Sequence, residues 1–169
     1  MHVFLTGERQ IGKSRAVRAA AELLGRPCAG FRTRFLTRER GSSSLYMVPA
    51  AGPEILDEEH MVAVLENGKM RALTERFDAL GTELLREARK KTGALILMDE
   101  CGHLEKNAYL FQKEILRCLN GPYPILGVLR RGQPWHDFII NHPRVTVITV
   151  TEDNRAGLAE SIAALIERP

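Results

Sequence analysis

Apolar residues fall along this chain in short runs separated by amphipathic stretches. Four runs bounded by turn residues read as buried strands: Val3–Thr6, Ala94–Met98, Ile125–Leu129 and Val145–Val150. Between them, apolar positions recur at helical spacing. Ser14–Leu24 is rich in Ala and Leu and stops at Gly25 with Pro27 behind it, while Asp78–Lys91 aligns Leu80, Leu84, Leu85 and Ala88 and stops near Gly93. A third helix is predicted over Asn107–Leu119, ended by Asn120, Gly121 and Pro122. A fourth is predicted over Asn154–Glu167, with Asp153 or Asn154 placed to cap its first turn. Strand and helix alternate, which predicts an α/β fold with a mostly parallel sheet, helices on both faces and ligands at the carboxyl ends of the strands.

The alternation breaks between Ala29 and Leu73. There Phe31–Leu36, Leu45–Val48 and Met61–Leu65 read as strands, and Asn67-Gly68 is a hairpin turn before Lys69–Leu73. The reading is an antiparallel hairpin insertion into the parallel sheet. Gly41-Ser42-Ser43-Ser44 and Pro49–Pro53 are expected to be loops inside it rather than linkers, because neither flank is long enough to build its own core. The 169 residues are therefore expected to form one domain.

Composition changes this picture little. With 44% hydrophobic and 27% charged residues the chain reads as globular, and 24 basic against 21 acidic residues leave a formal charge of +3. Such a balance gives no ground for expecting a nucleic-acid partner. Arg9, Lys13, Arg15, Arg18, Arg26, Arg32, Arg34, Arg38 and Arg40 nevertheless crowd the first quarter, a local field suited to polyphosphate. Cys28, Cys101 and Cys118 lack the spacing of a zinc site or disulfide framework and suit a reducing compartment. No apolar run approaches the ~20 residues of a membrane span and no leader is legible, so a cytoplasmic monomer is expected.

Chemistry enters directly after the first strand. Gly7, Glu8, Arg9, Gln10, Ile11, Gly12, Lys13 and Ser14 satisfy G-x-x-x-x-G-K-S, with a helix following at once. In such a loop the glycines let successive backbone N–H groups face phosphate oxygens, helped by the positive end of the helix. Lys13 then reaches the outer phosphates, the Ser14 hydroxyl ligates Mg2+, and Arg15 opens the helix beside them. The strand Ala94–Met98 runs into Asp99-Glu100, two carboxylates where a parallel sheet presents its site. Asp99 is assigned to the metal, and Glu100 to the base that orients and deprotonates the attacking water. Glu105 reads as a supporting residue or an exposed one, and His103 and Cys101 as packing or loop residues.

With these motifs in view, the chain resembles the small nucleoside-triphosphatase family that includes the cancer-related nucleoside triphosphatase. The resemblance spans nearly the whole length and rests on Gly7–Ser14, Gly30-Phe31-Arg32-Thr33, the block Asp99-Glu100-Cys101-Gly102-His103-Leu104-Glu105, and Asn154-Arg155. Family members look like D-E-I-G-K/P-M-E at the acidic block, from which Cys101 and His103 depart. The resemblance implies slow, Mg2+-dependent hydrolysis of several nucleoside triphosphates, ATP and GTP among them, with broad base specificity.

Four further readings remain open at this point. Arg130 or Arg131, after the strand Ile125–Leu129, is placed to stabilise charge on the γ-phosphate, as Arg32 or Arg34 is from the insertion. Asn154 and Arg155 are placed to meet the nucleobase. Trp135 and Phe138 read as core filling. Besides hydrolysis, a nucleotide or nucleoside kinase with a lid over Arg130–Pro143, or a nucleotide-dependent switch or assembly factor, uses the same motifs.

Overall fold

The computed structural model describes residues 1–37 and 42–168. Of the residues singled out above, Arg38, Arg40 and Gly41 lie outside them. The strands are β1 (His2–Gly7), β2 (Cys28–Thr37), β3 (Ser43–Pro49), β4 (Met61–Glu66), β5 (Lys69–Ala72), β6 (Leu95–Cys101), β7 (Ile125–Leu129) and β8 (Val145–Val150). They form one sheet in the order β5-β4-β3-β2-β6-β7-β1-β8. From β2 to β8 the neighbours run parallel, and from β2 outward through β3, β4 and β5 they run antiparallel. The fold is thus mixed α/β, mostly parallel with an antiparallel hairpin region.

The helices are α1 (Lys13–Leu24), α2 (Thr74–Arg76), α3 (Thr82–Lys90), α4 (Tyr109–Leu119), α5 (Asp137–Ile140) and α6 (Leu158–Glu167). A π-helical turn, Phe77–Gly81, joins α2 to α3, so the helix expected from Asp78 begins a turn earlier. It also carries the Asp78 carboxylate to the start of α4, where it accepts the Phe111 N–H at 2.9 Å. Because the first backbone N–H groups of a helix lack partners within it, this bond supplies a cap from the neighbouring element.

The continuous apolar runs sort by period two into separate layers, as a strand buried on both faces requires. Phe4, Ile96 and Met98 join one cluster with Phe31, Phe77, Leu85, Phe111 and Ile115, and Val3, Leu5, Leu95 and Leu97 join another with Val17, Ala20, Leu158 and Ile162. Each fully buried aromatic or branched side chain contributes about 1.5–3 kcal/mol relative to exposure. Together the two layers clamp the central strands, leaving the sheet's carboxyl edge free for the loops.

Two local expectations are corrected. Ser43 and Ser44, expected in a loop, open β3, where Leu36↔Ser44 and Thr37↔Ser43 extend the ladder, and Pro49 closes the same strand. The last helix starts at Leu158 rather than Asn154; Gly157, in a left-handed conformation, precedes it, and neither Asp153 nor Asn154 caps it. The antiparallel insertion is present as expected, and β2 belongs to both halves of the sheet. Its residues Cys28–Arg32 pair in parallel with Leu95–Asp99, while Phe31–Thr37 pair antiparallel with β3. The antiparallel region is therefore a wing on the same sheet, entered through a strand of the parallel part.

Candidate active site

The loop after β1 has the shape its glycines dictate. Gly7 adopts a φ of 142°, and a Cβ there would stand 2.7 Å from the Val150 carbonyl oxygen, so only glycine lets β1 leave the sheet beside β8. Gln10 and Gly12 are also left-handed, at 61° and 108°. Ile11 packs on the core layer under α1 and anchors the loop from below. Glu8, Arg9, Gln10, Ser14 and Arg15 are exposed on it. The Lys13 ammonium folds back to donate to the Gly7 and Glu8 carbonyls, at 3.1 and 2.6 Å.

Asp99 and Glu100 emerge where β6 loses register with β7. The ladder pairs Met98 with Gly127, then resumes only at Cys101 with Leu129. Such an irregularity re-aims side chains next to a site. On the other side Thr33 of β2 supports the break: its hydroxyl accepts the Glu100 N–H at 3.3 Å and donates to the Asp99 carbonyl at 3.4 Å. Arg130 N–H closes on the Cys101 carbonyl at 3.0 Å and draws the end of β7 alongside.

The two motifs meet although 85 residues separate them. The Ser14 hydroxyl donates to Asp99 Oδ1 at 2.9 Å. Burial raises the Asp99 carboxyl above the ordinary range, opposed by that hydrogen bond and by the charges of Arg18, Arg32 and Lys13. Burial also raises Glu100, reinforced by the neighbouring Asp99 charge and opposed by Lys13, Arg130 and Arg9. A hydroxyl and a carboxylate oxygen side by side form the hard-oxygen donor set that Mg2+ shares with phosphate oxygens, so the residues present fit that ion.

Beyond Glu100 a support layer holds the loop. Both carboxylate oxygens of Glu105 accept the Gly102 N–H, at 3.1 and 3.2 Å, and Trp135 Nε1 donates to the Gly102 carbonyl at 2.8 Å. Glu105 is 1% exposed, which excludes the surface role allowed for it, and burial lifts its carboxyl to about 7. Trp135 and Phe138 pack on the core, as expected. Arg131 pairs with Glu8 of the phosphate loop at 2.8 Å, and Arg130 contacts His103 Nδ1 at 3.1 Å.

A cleft of about 740 Å³ contains Gly7, Glu8, Arg9, Lys13 and Glu100 together with Arg130 and Arg131. A family model described as NTPase matches residues 2–163.

The chain belongs to the NTPase family.

Among the relatives of this NTPase-family chain is the nucleoside-triphosphatase THEP1 of Natranaerobius thermophilus, 26% identical over 98% of this chain and 96% of its own length. The human cancer-related nucleoside-triphosphatase is 28% identical over 98% and 96%. The crystal structure of THEP1 from Aquifex aeolicus superimposes with a TM-score of 0.76, covering 99% of this chain and all of that one at 23% identity, a likeness of fold. The solution structure of the human cancer-related protein gives 0.70 at 25% identity, over 98% and 97%.

Not every candidate joins the cleft. Arg34 is ion-paired with Glu54 on the wing. Arg32 stays close enough for its charge to act on Asp99. Asn154 is engaged by its own loop: its amide donates to the Thr149 carbonyl at 2.8 Å and its oxygen accepts the Thr151 N–H at 2.9 Å. Arg155 is exposed beside it. Thr33 stood in the sequence only as the end of the Gly30-Phe31-Arg32-Thr33 segment, with no chemistry assigned to it. Its place against Glu100 follows from the pairing of β2 with β6, which no local spacing reveals.

Proposed function

We propose that this chain hydrolyses nucleoside 5′-triphosphates, ATP and GTP among them, to the diphosphate and phosphate with Mg2+. The observation that carries this reading is the Ser14–Asp99 hydrogen bond of 2.9 Å, which holds the phosphate loop against the acid pair, beside the cleft that Lys13 and Glu100 line. The backbone N–H groups of Glu8 to Ser14 cradle the phosphates, and the Lys13 ammonium leaves the Gly7 and Glu8 carbonyls for the β- and γ-phosphate oxygens. Ser14 and Asp99 would hold the cation, which would neutralise charge on the phosphates. Glu100 orients a water for in-line attack and takes its proton; its raised proton affinity suits that task. Arg130 faces the same space and offsets charge developing on the γ-phosphate. Arg155, exposed beside the loop that Asn154 braces and outside the cleft lining, is the residue we propose to meet the nucleobase.

Phosphate release from a panel of triphosphates, with Mg2+ or with chelator, tests this. Release is expected only with metal, and to fall by about 100-fold or more in Glu100→Gln and Lys13→Ala. Full turnover in Glu100→Gln would remove Glu100 as the base.

A further inference from the structure

A second groove, of about 790 Å³, lies where α3 and α4 pack together and shares no lining residue with the cleft of the phosphate loop. Its two ends differ in charge. Glu75 and Asp78 line one, and Arg86, Lys113 and Arg117 line the other. Lys113 and Arg117 carry the basic end on into a further depression of about 540 Å³, where Arg89 joins them and no acidic residue lines the wall among the described residues.

Thr82 stands between the two ends, one turn before Arg86 on α3. A helical threonine ordinarily reaches a carbonyl three or four residues back with its hydroxyl. Here the π-helical turn places the Thr82 N–H on both the Asp78 and the Ala79 carbonyl. The residue is only 8% exposed, and its hydroxyl has no hydrogen-bond partner within the protein. Buried polar groups are paired in the great majority of cases, so an unpaired hydroxyl lining a groove marks a place for a ligand atom. Such π-helical turns also recur at functional sites.

The basic end is held in place from beneath. The fully buried Glu114 carboxylate is ion-paired with Arg86, Arg89 and Arg117. Arg89 and Arg117 each donate to it through one nitrogen, so most of the five N–H donors on each guanidinium remain for the groove. Three guanidinium groups against one carboxylate leave two positive charges. Of the other charges, Lys90 is paired with Glu87, and Glu83 balances Lys113. A phosphate monoester, which carries about −1.5 to −2 at neutral pH, matches that surplus.

We propose that the groove between α3 and α4 is a binding site for a small phosphate monoester, separate from the phosphate loop. Its phosphate sits among Thr82, Arg86, Lys113 and Arg117, where the Thr82 hydroxyl donates to one oxygen and the guanidinium groups supply charge-assisted bonds to the others. Hydroxyl or ammonium donors on its carbon skeleton face Glu75 and Asp78, with Leu110 against the carbons.

The test follows the backbone amide signals of the full chain by NMR as glycerol 3-phosphate or inorganic phosphate is added, against sodium chloride at matched ionic strength. Saturable shifts at Thr82, Arg86, Lys113 and Arg117 are expected with glycerol 3-phosphate, half complete below about 1 mM, and at least about tenfold weaker binding with inorganic phosphate. Arg86→Gln should weaken binding about tenfold. Thr82→Val removes a hydroxyl that has no partner in the protein, so its melting temperature should hold or rise while affinity falls about fivefold. Equal affinity for both probes overturns the monoester as the ligand. Shifts confined to Gly7–Ser14, shifts that chloride reproduces, or full affinity in both variants overturn the site itself.

Discussion

The Lys13 ammonium already sits over the mouth of its loop, shared between two carbonyls at 3.1 and 2.6 Å. Under the proposed reading a triphosphate would exchange two neutral acceptors for charged ones, and charge-assisted bonds are about twice as strong. Thr33 works at the same scale with a different result. Its hydroxyl bridges the Asp99 carbonyl and the Glu100 N–H, so Thr33→Val keeps the shape and leaves both groups without that partner. The expected loss is about 1 kcal/mol of stability. We also expect turnover to fall severalfold with little change in the KM for nucleotide, because Glu100 is displaced while the phosphate loop is intact; steady-state kinetics and a melting curve measure both. Lys13 and Ser14 were legible as a motif because the loop that carries them, Gly7–Ser14, is continuous in the chain. Thr33 was not, since its partner lies 67 residues away, and Asn154 was legible only as a polar residue after a strand.

At the scale of elements, the carboxylate of Glu114 joins α3 to α4. It is fully buried and meets Arg89, Arg117 at 2.8 Å and Arg86 at 3.6 Å. Burial alone would raise its proton affinity, but hydrogen bonds from Arg117 and Arg89 outweigh it and hold the carboxyl below its ordinary range. Glu114→Gln removes the charge that three guanidinium groups share. Because those groups reach solvent, the cost is expected at about 2 kcal/mol, at the lower end for breaking a buried pair; the midpoint of urea unfolding should shift accordingly. The sequence places both helices by their apolar stripes, yet which polar residue faces which arginine depends on how the helices cross. The wing carries the same lesson, since its strands were legible by alternation and turn chemistry while their edge on the cleft followed from the double pairing of β2.

Across the whole molecule, buried titrating groups couple stability to pH. His2 lies in the core, with Nε2 2.8 Å from the Leu119 carbonyl and Nδ1 accepting the Ile125 N–H at 3.2 Å, so the neutral ring satisfies both. Burial lowers its pKa, and that of His136, from 6.5 to about 4. Between those values the unfolded chain binds protons that the folded chain refuses, so each histidine makes stability fall as pH drops. Glu105 acts in the opposite sense. Raised from 4.5 to about 7, it stays protonated in the folded state where the unfolded chain has ionised, and so lowers stability as pH rises through that window. The raised carboxyls of Asp99 and Glu100 act in the same sense as Glu105, but their shifts are smaller, and the two histidines leave a net loss toward acid. Thermal melts should show a lower transition at pH 4.5 than at pH 6.5, on the order of 2 kcal/mol per histidine when fully developed, and His2→Gln should flatten that dependence.

By itself the sequence determined the order of strands and helices, the phosphate loop and the acid pair, because periodicity, turn chemistry and motif spacing act over a few residues. It could not determine that Ser14 meets Asp99, that Thr33 steadies Glu100, that Glu105 is buried beneath the loop, or that Phe35 and Leu45 line the same cleft as the phosphate loop. Those contacts join residues far apart in the chain, and only strand register and the packing of helices on the two faces of the sheet decide them.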